Sequence, residues 1–466
     1  MKPIEKIKIS GAYVWPIIEG GKGIGASNGE TAGAFAAADS VGTISGVFPP
    51  SLNEHGEMQP LIFTGTTRKS RSREIIRHSI EGSIREIKKA HEISGGRGRI
   101  HLNVLWGVAG AEEIIESVLS QTQGMLHGIT CGAGMPYRLA AIAKRYGVYY
   151  YPIVSSARAF SALWARTYKE VPELLGGVVY EDPWKAGGHN GLSSKDNPLE
   201  PEHPYWRVEQ IRTVMLKHGL KDVPIIMAGG VWDLKTFENW IGNPDLGPIG
   251  FQIGTRSLLT QESPISEQWK EKLMTVRKED VVLNNFSSTG FNSSAIKNEF
   301  IKELEERSSR QIAISKEPKG EFTIPFLKSE TSKVYISESG RQQARNWIVE
   351  GYTKFMETPD STLLFVTKEK AKAIKTDQRD CKGCLAACKF SSWSVDKLKN
   401  YTTGLLPDPR SFCIFKTLQN IICGEDAEYE LMFSGHTTYK FSMDPLYRNG
   451  NIPSIKELIA RMLQGD

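Results

Sequence analysis

Between Gly11 and Leu259 the chain alternates short apolar runs with longer amphipathic stretches. The apolar runs are WPII (15–18), VGTIS (41–45), HLNVL (101–105), HGITC (127–131), YYPIV (150–154), GVVYE (177–181), PIIMA (224–228) and GFQIG (250–254). They are brief, rich in β-branched residues and bordered by glycine, the pattern of strands buried on both faces of a parallel sheet. The intervening stretches have another period. In SREIIRHSIEGSIREIKKAHEIS, residues Ile76, Ile80, Ile84 and Ile87 share one helical face. AEEIIESVLSQ, YRLAAIAKRYG and YWRVEQIRTVMLKHGL behave alike. Eight strands alternating with helices predict an α/β fold, a (β/α)8 TIM barrel; a doubly wound open sheet is the competing arrangement.

At 466 residues the chain is too long for one ordinary domain. The rhythm assigns 1–265 to the barrel, 266–345 to a helical substrate or lid segment, and 346–466 to a cysteine-cluster region. The extension is therefore expected to be helical, with the last helix, IPSIKELIARML, packing back on the barrel. No stretch approaches the ~18 apolar residues a membrane span needs, and the start is not a secretory signal. The expectation is a cytoplasmic protein with no membrane partner. A net charge of +5 is small for this length. The basic stretch TRKSRSREIIRHSIEGSIREIKK reads as a solvated helix face, with nucleic-acid binding disfavoured. A homo-oligomer is compatible with this composition.

In a barrel, chemistry belongs at the C-terminal ends of the strands. Those positions read EGGKGIG, Asn103, CGAG, SSAR, KAGGHNG, AGG and GT. Glycine at nearly every strand end implies a ligand lying close against the backbone. The last two strand ends, MAGGVWD and QIGTRS, suit a phosphate held by loop amides, with Gly229, Gly230, Gly254 and the Thr255 hydroxyl as donors.

PIIEGGKGIGASNGETAGAFAAADSVGTIS, PIVSSARA, AGGHNG, IIMAGGV, FQIGTRSLLTQES and STGFNSSAIKNEF together resemble the nitronate monooxygenase (2-nitropropane dioxygenase) family. The resemblance spans roughly residues 12 to 310 and implies a flavoprotein oxidoreductase, a TIM barrel that binds FMN. By that likeness Gly187, Gly188, Gly229, Gly230, Gln252, Ile253, Gly254 and Thr255 would hold FMN, largely by its phosphate. Asn103 would meet the isoalloxazine ring, with Gly20 and Gly21 giving the ring clearance. His189 would be the general base in oxidation of a nitronate, or a proton donor in the family's enoyl reductase branch. An imidazole suits either role, because its ordinary pKa of about 6.5 lies near operating pH. The implied partners are a small-molecule substrate and a redox partner or nicotinamide donor, NAD(P)H. An RNA-modifying flavoenzyme is an alternative of another class. Lys22 departs from the family pattern and reads as an attractor of anions or a surface lysine. Asp182 also departs, standing where a neutral flavin partner is expected.

CKGCLAAC supplies Cys381, Cys384 and Cys388, and Cys413 follows in PDPRSFCIF. Thiolates at such spacing suit one compact centre, an iron–sulfur [4Fe–4S] cluster or, as the alternative, tetrahedral zinc. Cys423 reads as core, and Cys131 as a small buried residue.

Overall fold

In the computed structural model, which describes residues 2–423 and 426–465 but not the side chains of Gln419 and Asn420, the apolar runs form a closed barrel. A hairpin, β1 (Ile7–Ile9) and β2 (Ala12–Val14), precedes it. The ring comprises β3 (Ile17–Glu19), β4 (Val41–Ser45), β5 (Arg99–Leu105), β6 (Gly128–Gly132), β7 (Tyr149–Val154) and β8 (Val178–Glu181). After β9 (Gly188–His189), which lies outside it, β10 (Ile225–Ala228) and β11 (Ile249–Ile253) complete the ring. Closure is parallel, pairing Phe251 with Ile17 and Ile253 with Glu19.

The competing open sheet is thereby ruled out. Strands β3, β4, β6, β10 and β11 are buried at every position, which is why they show no polar alternation. The hairpin covers one end of the barrel. The Ser10 hydroxyl bonds His101 Nε2 of β5 at 2.9 Å and the Tyr151 hydroxyl of β7 at 2.7 Å.

Helices α1 (Gly29–Ala37), α2 (Arg68–Ser94), α3 (Ala111–Gln121), α4 (Leu139–Tyr146), α5 (Ala157–Arg166) and α6 (Pro204–Lys217) surround the ring. The longest, α2, starts at a Thr67–Ser70 capping box and stops at Gly95, whose φ of 57° ends the helix cheaply. Its expected apolar face is the packed one. Ile76 and Ile87 are buried, and Ile80 and Ile84 lie half-buried against the same core.

The extension departs from the helical expectation. Beyond α7 (Glu267–Thr275), β12 (Val281–Asn284) and β13 (Ser293–Ile296) form a sheet with β9. After α8 (Glu299–Ser309) comes a small α/β unit. Its sheet is β14 (Gln311–Ala313), β18 (Thr362–Val366) and β17 (Lys354–Glu357), carrying α9 (Glu338–Val349) and α10 (Lys368–Arg379). Within the segment expected to be a helical lid lies a hairpin, β15 (Ile324–Ser329) with β16 (Ser332–Ile336). Ile324, Phe326, Val334 and Ile336 alternate with the exposed Pro325, Leu327 and Lys333 and pack on one core. Because β14 pairs with β18, a boundary at residue 345 cuts through this unit.

Strands β19 (Ala387–Cys388) and β20 (Trp393–Ser394) lie between Cys384 and Cys413, and α11 (Ile414–Cys423) begins directly after Cys413. The last helix, α12 (Ile455–Leu463), packs on α1 of the barrel as expected. No helix among the described residues is long and apolar enough to cross a membrane.

Candidate active site

A cavity with about 210 Å³ of water-accessible space opens at the C-terminal ends of the ring strands. Gly20 and Gly21 reach it from the end of β3, Asn103 from β5, and Gly187, Gly188 and His189 from the segment after β8. Gly229 and Gly230 follow β10, while Gln252, Gly254 and Thr255 close the circle at β11. Ile253 alone among the expected cofactor residues turns away. Its side chain is buried in the barrel core, and its carbonyl accepts the Gly20 N–H at 2.8 Å.

The room left by Gly21 is taken by protein. A Cβ there would stand 2.5 Å from the Asn103 amide, so the glycine admits Asn103, whose Nδ2 donates to Thr130 O at 3.4 Å. Gly254 is different: a Cβ on it would meet no atom within 4 Å. Gly229 and Gly230 have φ of 86° and 77°, values that favour glycine. Thr255 Oγ1 accepts the N–H of Gly435 at 2.9 Å, a partner from the far end of the chain.

His189 does not sit in a free loop. It lies in β9, paired with Ser293 of β13, and Asn190 N–H donates to Asn292 O at 3.1 Å. Its Nε2 is 2.6 Å from Ser287 Oγ, which is 2.9 Å from Thr289 Oγ1 on the cavity wall. Phe433 packs edge-on against the imidazole at 4.9 Å between centroids. Burial pushes the His189 pKa down to about 4, leaving a neutral ring at physiological pH. Segment 433–437 reaches the wall because Gly187 has no side chain; a Cβ would lie 2.6 Å from Gly435 N.

Sequence reasoning missed several wall residues. Glu181, at the C-terminal end of β8, lines the cavity. Burial, then the neighbouring Asp182, push its pKa up to about 8. An acidic residue ending a barrel strand was the available signal. Phe433, Gly435 and Thr437, together with Leu385, Ile414, Leu418 and Ile421, come from the extension. No local pattern announces them.

Lys22 is neither an exposed lysine nor a free attractor of anions. Its Nζ is 2.6 Å from Glu19 Oε1 and 3.1 Å from Ser257 Oγ, with the Lys22 and Glu19 side chains 6% and 0% exposed. Glu19 also accepts the Thr43 N–H at 3.0 Å. Removing one member of a buried pair strands the other charge. Glu19→Ala is therefore expected to lower stability by about 3–5 kcal/mol, measured by urea unfolding.

Asp182 serves its own turn, with Oδ1 accepting the N–H groups of Trp184 and Lys185 at 3.0 and 3.1 Å. The basic helix is likewise engaged internally. Arg68 donates to the carbonyls of Gln378 and Ser391, and Arg71 to that of Cys381.

The model of the nitronate monooxygenase family matches residues 95–376. The chain belongs to that family. Curated relatives include a probable nitronate monooxygenase of Staphylococcus saprophyticus, 31% identical over 126 residues, which are 26% of this chain and 32% of the relative. One of Staphylococcus haemolyticus is 28% identical over 133 residues, 28% and 34% of the two chains. The matched region thus spans about a third of these curated relatives. Among solved structures, FabK from Thermotoga maritima aligns with a TM-score of 0.52 at 14% identity, covering 96% of this chain and 91% of that one. The enoyl reductase domain of MlnA from Bacillus amyloliquefaciens gives 0.54 at 12% identity, with coverage of 97% and 93%. These two likenesses establish the fold, extension included.

Proposed function

We propose that this member of the nitronate monooxygenase family is an FMN-dependent oxidoreductase that oxidises a nitronate or a related small carbon acid, with His189 as general base. The observation that carries the reading is the His189 imidazole on the wall of a cavity also lined by glycines at the ends of four ring strands.

The residues present fit FMN. Gln252 Oε1 is a buried acceptor without a protein partner, and its side chain lines the cavity. Gly254 leaves the space of a side chain empty. Together with Gly229 and Gly230 it offers the backbone approach that a phosphate needs. The aliphatic stem of Lys185, which lies over Gly230, brings a cation to the same wall. Gly20, Gly187, Gly188 and Thr255 complete the enclosure, and Asn103 would offer its amide to the flavin.

FMN, when bound, supplies a two-electron acceptor that no side chain can replace. Where the substrate enters as a neutral carbon acid, such as a nitroalkane, His189 would receive its α-proton; a nitronate arrives already deprotonated. Ser287 fixes its orientation through the 2.6 Å bond, and Thr289 extends the chain of hydroxyls to the wall. Glu181, with its pKa near 8, offers a second group able to hold a proton at neutral pH. Phe48, Leu385 and Phe433 form an apolar side that keeps water from the reacting centre.

That apolar side, continued by Ile414, Leu418 and Ile421 of α11, also suits an acyl chain. It favours enoyl reduction driven by NAD(P)H as the second reading. Anaerobic stopped-flow separates the two. Bleaching of the flavin by an alkyl nitronate without nicotinamide supports the first. Bleaching only by NADH or NADPH supports the second, and bleaching by neither overturns both.

A further inference from the structure

Cys381, Cys384, Cys388 and Cys413 are free thiols, and among the described residues no three His, Cys, Asp or Glu side chains are placed to hold a metal ion. A largely buried polar network behind the active-site cavity carries more. It is centred on Asp444, between two short helical turns, Thr438–Ser442 and Pro445–Gly450, near the end of the chain.

Asp444 Oδ2 accepts from Trp232 Nε1 at 2.9 Å and from Arg256 Nη2 at 2.8 Å. Both partners come from loops that shape the cavity. Trp232 follows Gly229 and Gly230 after β10, and Arg256 follows Gly254 and Thr255 after β11. The two glycine pairs of positions, 229–230 and 254–255, line the cavity, with Trp232 and Arg256 buried behind them. Arg256 also donates to Trp232 O, and its guanidinium lies over the indole at 4.9 Å. The two loops are thus joined to each other directly, and each is joined to Asp444.

The carboxylate is itself held in place. Its Oδ1 accepts the Leu446 N–H at 2.9 Å. Phe441 and Tyr447, on either side of it in the chain, pack against the Trp232 ring at 4.8 and 6.2 Å between centroids. The Tyr447 hydroxyl donates to Arg256 O at 3.5 Å, and Lys440 pairs with Asp233 at 3.3 Å. The Arg256 and Asp444 side chains are 1% and 13% exposed. A buried ion pair adds little net stability over a well-packed apolar cluster of the same volume. What this one adds is direction, because each hydrogen bond fixes an angle as well as a distance. Loops that offer amides to a phosphate need such support, since a site left about 1 Å too loose loses its function.

We infer that Asp444 is a positioning residue: by bridging Trp232 and Arg256 it fixes the loops after β10 and β11 in the arrangement that receives the phosphate of FMN. This rests on the FMN reading above, and flavins with and without the phosphate separate the two. The full chain, freed of flavin, is titrated with FMN and with riboflavin, and flavin fluorescence reads each affinity. The wild-type chain should prefer FMN. Asp444→Asn keeps the shape but loses the charge and one of the two acceptor oxygens. It should forfeit about tenfold or more of that preference, with riboflavin affinity unchanged.

Trp232→Phe removes the Nε1 donor and keeps a ring against Phe441. It should shift the preference in the same direction by a smaller factor, and it carries the test if Asp444→Asn fails to fold. Arg410→Ala breaks the ion pairs of Arg410 with Asp408 and Asp360 in the extension. It should lower the melting temperature and leave the preference intact. Equal loss of both flavins in the Asp444 variant assigns the residue to folding alone and overturns the inference. So does an unchanged ratio, or a wild-type chain that binds riboflavin as tightly as FMN. A wild-type chain that binds neither overturns the FMN reading as well.

Discussion

Gly254→Val is expected to fold normally and to lose FMN. A Cβ at this position meets no protein atom within 4 Å, and its backbone is outside the left-handed region. The substitution therefore introduces neither a clash nor strain of its own. What the new methyl groups fill is the cavity between the ends of β3 and β11, where the cofactor must approach the backbone. A loss of at least tenfold in affinity, or about 1.4 kcal/mol, is the minimum expected. The ratio of flavin to protein absorbance reads the binding, and a thermal melt reads the fold. Wild-type flavin content in this variant would sink the proposed cradle. Gly187→Ala is the instructive contrast: its Cβ would lie 2.6 Å from both Gly435 N and Ser434 C. That variant should disturb the closure of the C-terminal segment as well.

His189→Asn should keep its flavin and lose about 10²–10⁴-fold in flavin reduction by a neutral nitroalkane, the usual scale of general base catalysis. The pH dependence follows from burial. With its pKa pushed down to about 4, His189 is neutral from pH 5 to 8 and able to accept a proton throughout. It becomes protonated only as pH falls through about 4, so its acid limb belongs there and not near 6.5. Stopped-flow profiles of wild type and His189→Asn should differ by the loss of that limb. An unchanged rate in the variant removes His189 from the mechanism.

The barrel was readable because its strands are short, β-branched and buried on both faces, so each run reports its own environment. Both ends of Val41–Ser45 were placed, and the other ring strands within about two residues. The glycines at strand ends were readable for a similar reason, since backbone approach leaves a compositional trace. The setting of His189 was not. It depends on pairing with Ser293, a hundred residues downstream, and on Phe433, still farther along. Neither contact imposes a periodicity on AGGHNG.

Arg68 and Arg71 show the same limit. A charge run on a helix looks solvated until a distant loop supplies carbonyls for it. Lys22 was misread because its partner Glu19 lies three positions earlier at a strand end. Spacing alone does not tell whether such a pair is buried.

The cavity wall runs in chain order from Gly20 to Thr437. During synthesis, the barrel strands emerge well before the segment that packs against Gly187 and His189. A nascent barrel lacking residues 433–437 has an incomplete wall around His189. On the proposed reading, the FMN cavity is enclosed only once this last segment is in place.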